Sequence, residues 1–206
     1  MATLGQPFIA CLRAPRLARY GRGLVMALLL GLGAIAVRGA DDSEELTAIK
    51  LEYQVKAGFL FNFAKFVEWP TNTPGGPEKL LIGILDDGNV YPIVAGELAG
   101  KHVGNRVVET RRCKRGDDLK RYEMIFITRT KEARLEDVRA AVTGAPVLTV
   151  GEFDRFAERG GCINFVRKGD NIRFEVNLAA VERAGLKISS KLASMAIVVR
   201  SEEVKK

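Results

Sequence analysis

Lys79-Leu80-Leu81-Ile82-Gly83-Ile84-Leu85 is an apolar run behind a single lysine, with no polar side chain from Leu80 to Leu85. A strand with one wet face alternates polar and apolar residues, so an unbroken run of this length predicts a strand covered on both sides. Working outward, Glu123-Met124-Ile125-Phe126-Ile127-Thr128 and Pro146-Val147-Leu148-Thr149-Val150 repeat the pattern, and Arg106-Val107-Val108-Glu109-Thr110 supplies another strand. Residues 90–99 and Leu135–Val142 between them read as short helices. Buried strands alternating with helices predict a mostly parallel sheet.

The last third changes character. Cys162-Ile163-Asn164-Phe165-Val166-Arg167 and Asn171-Ile172-Arg173-Phe174-Glu175-Val176-Asn177 flank the tight turn Lys168-Gly169-Asp170, so these strands must be antiparallel. Ile172, Phe174 and Val176 alternate with Arg173, Glu175 and Asn177, placing one face in the core and the other in polar surroundings. A helix over residues 178–184 stops at Gly185, and Ser189-Ser190 opens a closing segment that runs to Val198. The expected architecture is a single α/β domain over residues 44–200, with a mostly parallel central sheet, a C-terminal antiparallel hairpin and helices on both faces, followed by a charged tail at 201–206.

Ahead of the domain, Arg13, Arg16, Arg19 and Arg22 lead into an apolar run from Leu24 to Val37, and Asp41-Asp42 follow. That order is the layout of a secretory signal peptide over residues 1–39, with Val37/Gly39 or Ala34/Ala36 as small-residue cleavage pairs. The rival, a membrane anchor, needs roughly 20 apolar residues, more than this run supplies. The net charge of +7 resides largely in the leader, whose five arginines face no acid; without it 27 basic residues stand against 25 acidic ones. So nearly neutral a surface gives no electrostatic case for nucleic acid. The run Arg111-Arg112-Cys113-Lys114-Arg115 has no interleaved aromatics to stack bases and reads as a solvated loop at a strand end.

Cys11 leaves with the leader, so Cys113 and Cys162 remain, and an exported compartment permits a disulfide between them worth about 4 kcal/mol. Spacing alone does not establish that their sulfurs meet. No metal site or cofactor is expected, because one histidine, His102 in a glycine-flanked turn, and two cysteines do not supply a tetrahedral ligand set. Catalysis has no visible machinery either: there is no G-x-S-x-G elbow and no phosphate-binding loop. Asp86-Asp87-Gly88 follows the first buried strand, where open α/β sheets bind ligands, and reads either as a ligand site or as a solvated turn. Gly160-Gly161 after Phe156-Ala157-Glu158-Arg159 reads as a helix stop leading into a strand.

Residues 44–69 contain no proline and read as one long helix ended by Pro70, with Thr71-Asn72-Thr73-Pro74-Gly75-Gly76-Pro77 as a loop. At 100° per residue, Phe59, Leu60, Phe63, Ala64, Phe66 and Val67 share a broad face. Asn62, Lys65 and Glu68 lie opposite, with Phe61 among them and Trp69 at the edge. An aromatic on the polar face marks either a protein contact or a face covered by the domain itself or a second copy.

The stretch Glu52-Tyr53-Gln54-Val55-Lys56-Ala57-Gly58-Phe59-Leu60-Phe61-Asn62-Phe63-Ala64-Lys65-Phe66-Val67-Glu68-Trp69-Pro70 resembles the opening signature of the YfiR/HmsC-like family. Gly160-Gly161-Cys162-Ile163-Asn164-Phe165, Arg173-Phe174-Glu175-Val176-Asn177-Leu178 and Ala184-Gly185-Leu186-Lys187-Ile188-Ser189-Ser190-Lys191-Leu192 resemble later segments of the same family. The resemblance spans about residues 50 to 198. It implies a periplasmic α/β protein, often dimeric, that binds the periplasmic sensor region of an inner-membrane diguanylate cyclase and restrains it, so that release raises cyclic di-GMP and favours biofilm. Many members carry a cysteine just before the third strand, where this chain has Tyr122-Glu123, so redox control through that position is not implied.

The leading expectation is therefore a non-enzymatic regulator with Phe61, Lys65 and Trp69 in partner contact, and Asp86, Asp87, Asn164, Arg173, Glu175 and Asn177 as polar groups of a cleft or of the fold. The rival is a periplasmic small-ligand-binding protein serving a transporter or sensor kinase, with its pocket near Asp86.

Overall fold

A computed structural model describes residues 21–70 and 76–200, with side chains from Ser43 onward. The expectations for the leader's first twenty residues, part of the loop after Pro70 and the tail at 201–206 fall outside the described residues. The chain divides into two compact units at Thr47/Ala48. In the first, the backbone is helical from Gly21, within helix α1 (Gly21–Phe66). Among the described side chains, no helix is long and apolar enough to cross a membrane.

The second unit is the α/β domain. After α1 come β1 (Val67–Glu68), β2 (Lys79–Leu85), α2 (Tyr91–Leu98), β3 (His102–Val103), β4 (Arg106–Arg112), β5 (Met124–Ile127), α3 (Leu135–Val142), β6 (Leu148–Gly151), β7 (Ile163–Lys168), β8 (Asn171–Asn177), α4 (Leu178–Arg183), β9 (Lys187–Ile188), α5 (Ser190–Met195) and β10 (Ile197–Val199). Eight strands form the main sheet in the order β10-β8-β7-β6-β5-β2-β4-β3. The pairings β4–β2, β2–β5, β5–β6, β6–β7 and β8–β10 are parallel, whereas β3–β4 and the hairpin β7–β8 are antiparallel. β1 and β9 make a separate antiparallel pair.

Alternation along each central strand feeds two cores. Leu80, Ile82, Ile84, Met124 and Phe126 meet α1, α2 and α4 on one face. Leu81, Leu85, Ile125 and Ile127 meet α3 and the Phe153–Phe156 turn on the other. The expected α/β class, mostly parallel sheet, C-terminal hairpin and two-sided helical cover are all present. α1 is held by aromatic packing: Phe63 lies 5.1 Å from Phe174 and 5.6 Å from Phe165, and Phe59 lies 5.8 Å from Phe174, centroid to centroid.

Boundaries depart from expectation where a local rule was outweighed. α1 ends at Phe66, because Val67 and Glu68 pair with Ile188 and Lys187 and Pro70 biases the residue before it toward extended backbone. β6 begins at Leu148, since Pro146 has no N–H for a ladder. The helix expected before Gly160 is a series of hydrogen-bonded turns, interrupted by Arg155 at φ 59°. Cys113 and Cys162 are free and buried, so the disulfide that the sequence left open is not formed. Cys113 follows β4 and Cys162 precedes β7, four places away in the sheet. At roughly 4.8 Å per strand that is about 19 Å, far beyond the roughly 7 Å between Cα atoms that a disulfide tolerates. Burial pushes the Cys113 thiol up to about 12, opposed by a hydrogen bond with Tyr122, and raises Cys162 too, so neither offers a reactive thiolate.

Gly160-Gly161 has a packing role instead of a phosphate-binding one. A Cβ on Gly161 would lie 2.0 Å from the Phe156 ring, and one on Gly151 2.4 Å from it, so this buried ring is seated against two bare backbones. Gly161→Ala is expected to cost about 1–3 kcal/mol by overpacking, measured as a lower denaturation midpoint, and Phe156→Leu in the same chain should recover part of the loss. An unchanged midpoint for Gly161→Ala would remove this account of the glycine pair.

Candidate functional site: a polar cleft at the strand ends and an aromatic–lysine patch

Lys56 lies on the apolar stripe of α1, four residues before Leu60 and seven before Phe63, and a cation on a buried stripe must find an anion. It finds two. Its Nζ donates to Glu152 Oε2 at 2.6 Å and to Glu52 Oε1 at 2.5 Å. Glu152 directly follows β6, and its Oε1 also accepts from the Tyr53 hydroxyl at 2.8 Å and the Arg129 N–H at 3.0 Å. Arg167 of β7 donates to Glu52 Oε2 at 2.6 Å.

These bonds fasten α1 across the carboxyl ends of β5 and β6 and leave beside them a cavity of about 370 Å³ lined by Glu52, Lys56, Arg129, Glu152, Phe165 and Arg167 among others. A second cavity of about 520 Å³ shares Arg129, Glu152, Phe165 and Arg167 and extends to Asn164 and Glu175. Asn164 and Glu175 face each other across the hairpin, with Asn164 Nδ2 donating to Glu175 Oε2 at 3.1 Å. Asn164 is 1% exposed, yet its Oδ1 has no hydrogen-bond partner, so the cleft holds a buried acceptor that a donor from outside could satisfy.

Of the other polar residues singled out in the sequence, Asp86 and Asn177 serve the fold, and Asp87 and Arg173 are exposed. Asp86 Oδ2 accepts from the N–H groups of Gly88, Val90 and Tyr91 at 2.9–3.0 Å, capping the start of α2, while Oδ1 accepts from Arg112 at 2.9 Å. With both oxygens engaged, Asp86 is a turn anchor. Asp87 is exposed and makes only a local turn contact with the Asn89 N–H. Asn177 caps α4 through Oδ1 to the Ala180 N–H and donates Nδ2 to the Ala157 carbonyl. Arg173 is exposed on β8, outside the cleft. Of the six residues, only Asn164 and Glu175 come together.

The aromatic set divides in the same way. Trp69 is half-buried and donates Nε1–H to the Glu123 carbonyl at 3.1 Å, while the fully buried Glu123 side chain pairs with Arg106 and accepts from the Leu81 N–H. Phe61 is half-buried at the rim, with Lys65 and Lys101 over its ring. Among the described residues no three or more His, Cys, Asp or Glu side chains converge as a metal would require.

With this geometry in place, the comparison with protein families is decisive. The YfiR/HmsC-like model matches residues 53–197, from Tyr53 in α1 through the first residue of β10. The chain belongs to the YfiR/HmsC-like family. Comparison with curated proteins gives no match. The matched segment contains Tyr53, Lys56, Glu152 and Arg167 and starts one residue after Glu52, so the Lys56–Glu152 pair lies inside the family's domain. Sequence reasoning missed Lys56 and Glu152, although two signals were present: a lysine in register with Leu60 and Phe63, and an acid at the end of a buried strand.

Removing one partner of a buried pair leaves an uncompensated charge, so Lys56→Met and Glu152→Gln should each cost about 3–5 kcal/mol, and the double variant should cost less than their sum in a denaturation cycle. Additive losses would mean that the two groups are not coupled. Partial burial pulls the Glu52 carboxyl upward, but the hydrogen bonds and charges of Lys56 and Arg167 outweigh it and hold the group below its ordinary 4.5. Its contribution to stability is therefore fully present above pH 4.5 and is lost as the pH falls through the lowered folded value. A Glu52→Gln variant should accordingly show a shallower loss of stability on acidification than the wild type.

Proposed function

We propose that this protein is a periplasmic regulator that binds the periplasmic sensor region of an inner-membrane diguanylate cyclase and holds its output low. The observation that carries the reading is the family match over residues 53–197, which takes in seven of the eight main-sheet strands and the opening of the eighth. The leader of arginines and apolar residues supports export, and the free, buried cysteines with raised thiols support a role without thiol chemistry. Restraint needs no reaction: a regulator shifts a sensor only by binding its inactive state more tightly than its active one. The proposal includes a homodimer, whose natural surface is the exposed apolar pair Leu51 and Val55, one turn apart on α1.

A second reading, a receptor for a small ligand, is favoured by the cleft and by the orphaned Asn164 Oδ1. In this reading the ligand occupies the β5–β8 strand ends, since the neighbourhood of Asp86 is already engaged.

Deleting the gene should raise cyclic di-GMP several-fold, restoring it should reverse the rise, and the tagged protein should retain a membrane cyclase. Unchanged cyclic di-GMP together with a large ligand-dependent rise in melting temperature would replace the first reading with the second. Light scattering should give twice the monomer mass, and Val55→Glu should halve it.

A further inference from the structure

Lys65 of α1, Lys101 between α2 and β3, and Lys191 of α5 converge on two half-buried rings. Lys65 Nζ lies 5.6 Å from the Phe61 centroid and 6.0 Å from that of Phe66. Lys101 Nζ is 5.2 Å from Phe61, and Lys191 Nζ is 5.1 Å from Phe66. Lys65 stands over both rings and Lys101 and Lys191 over one each, so three chain segments line their ammonium groups along this aromatic pair. Among the described residues none of the three forms an ion pair, whereas Lys56, Lys79, Arg112 and Arg167 all do. Glu68, in β1 just after that helix, stands in register with Lys187 of β9. Next to the patch is a groove of about 280 Å³ with Lys65, Val67, Trp69, Val103 and Arg106 in its walls.

We infer that this patch is the partner-recognition surface, and that it takes an acidic protein segment whose carboxylates bridge Lys65, Lys101 and Lys191 while one neighbouring apolar side chain enters the groove beside Trp69. The inference rests on the reading of the protein as a binder of another protein and names the chemistry of what it binds. An ammonium held over a ring keeps its outward N–H groups free to donate, and its hydrogen bonds to a carboxylate are roughly twice as strong as neutral ones. A membrane surface fits less well. Interfacial binding needs apolar side chains that project and insert, and here both rings lie half within the fold with ammonium groups over them. Three lysines alone give weak attraction that salt screens readily. The groove's concave shape adds a pocket that a flat bilayer cannot use.

The test uses the purified protein, a fluorescein-labelled ten-residue peptide of Asp and Glu with one central Leu, and vesicles of phosphatidylglycerol with phosphatidylethanolamine. The peptide should bind with an affinity that falls as salt rises. The triple variant K65E/K101E/K191E should weaken it at least tenfold with an unchanged circular dichroism spectrum, and K65R/K101R/K191R should retain it. Replacing the central Leu with Gly should also weaken binding. Should the reversed variant misfold, K65Q/K101Q/K191Q provides the same comparison without introducing acids. Equal peptide binding by wild type and the charge variants, or lysine-dependent binding to vesicles with none to the peptide, overturns the inference. If the wild type and the reversed variant capture the same cyclase equally well, the surface is wrong and the regulatory reading stands. If the wild type captures no membrane protein but binds the peptide through the three lysines, the regulatory reading fails and the patch's chemistry survives.

Discussion

The domain is organised around a lysine that water barely reaches. Lys56 is 6% exposed and Glu152 3%, so each would be costly to bury alone, and their mutual contact, completed by Glu52, Tyr53 and the Arg129 N–H, makes both positions tolerable. That contact determines where α1 lies. The aromatic packing of Phe59 and Phe63 on Phe165 and Phe174 would permit the helix to slide, because dispersion is weakly directional, whereas an ammonium held at 2.6 Å from a carboxylate permits no such movement. Glu152 can take this role because it sits just past β6, where the parallel strands end and the backbone must leave the sheet. The cleft beside it is a by-product of the same geometry: strand ends diverge, and a helix pinned across them leaves space underneath.

Much of this architecture was legible in the residues. The runs at 79–85, 135–142 and 171–177 form elements at the expected positions, because continuous burial, helical periodicity and a tight hairpin are each local signals. What escaped was whatever depends on distant partners. β3 and β9 have two residues each and exist only because β4 and β1 supply hydrogen bonds. Arg155 adopts a left-handed conformation that nothing about an arginine foretells. The same division runs through the site. Asp86 was a plausible ligand group until its two oxygens were seen to be occupied by α2 and Arg112, while Lys56 passed for an ordinary helix lysine because its acid is 96 residues away.

The two regions set apart by the structure differ in what they can do. The cleft is lined by charges that largely neutralise one another, with one buried acceptor left over. The aromatic–lysine patch gathers like charges without neutralising them. The first environment suits a compact molecule that brings its own hydrogen-bond donors, and the second suits a long anionic surface. α1 is common to both, carrying Lys56 at the cleft and Phe61 and Lys65 at the patch along one rigid stretch.

The separation of Cys113 and Cys162 by four strands has a bearing on biogenesis. A polypeptide whose native state contains no covalent bridge between these sulfurs has no need of an oxidant or a shuffling catalyst to mature. It can reach its final form as quickly in a thiol-rich medium as in an aerated one, and its maturation is indifferent to the electron balance of its surroundings.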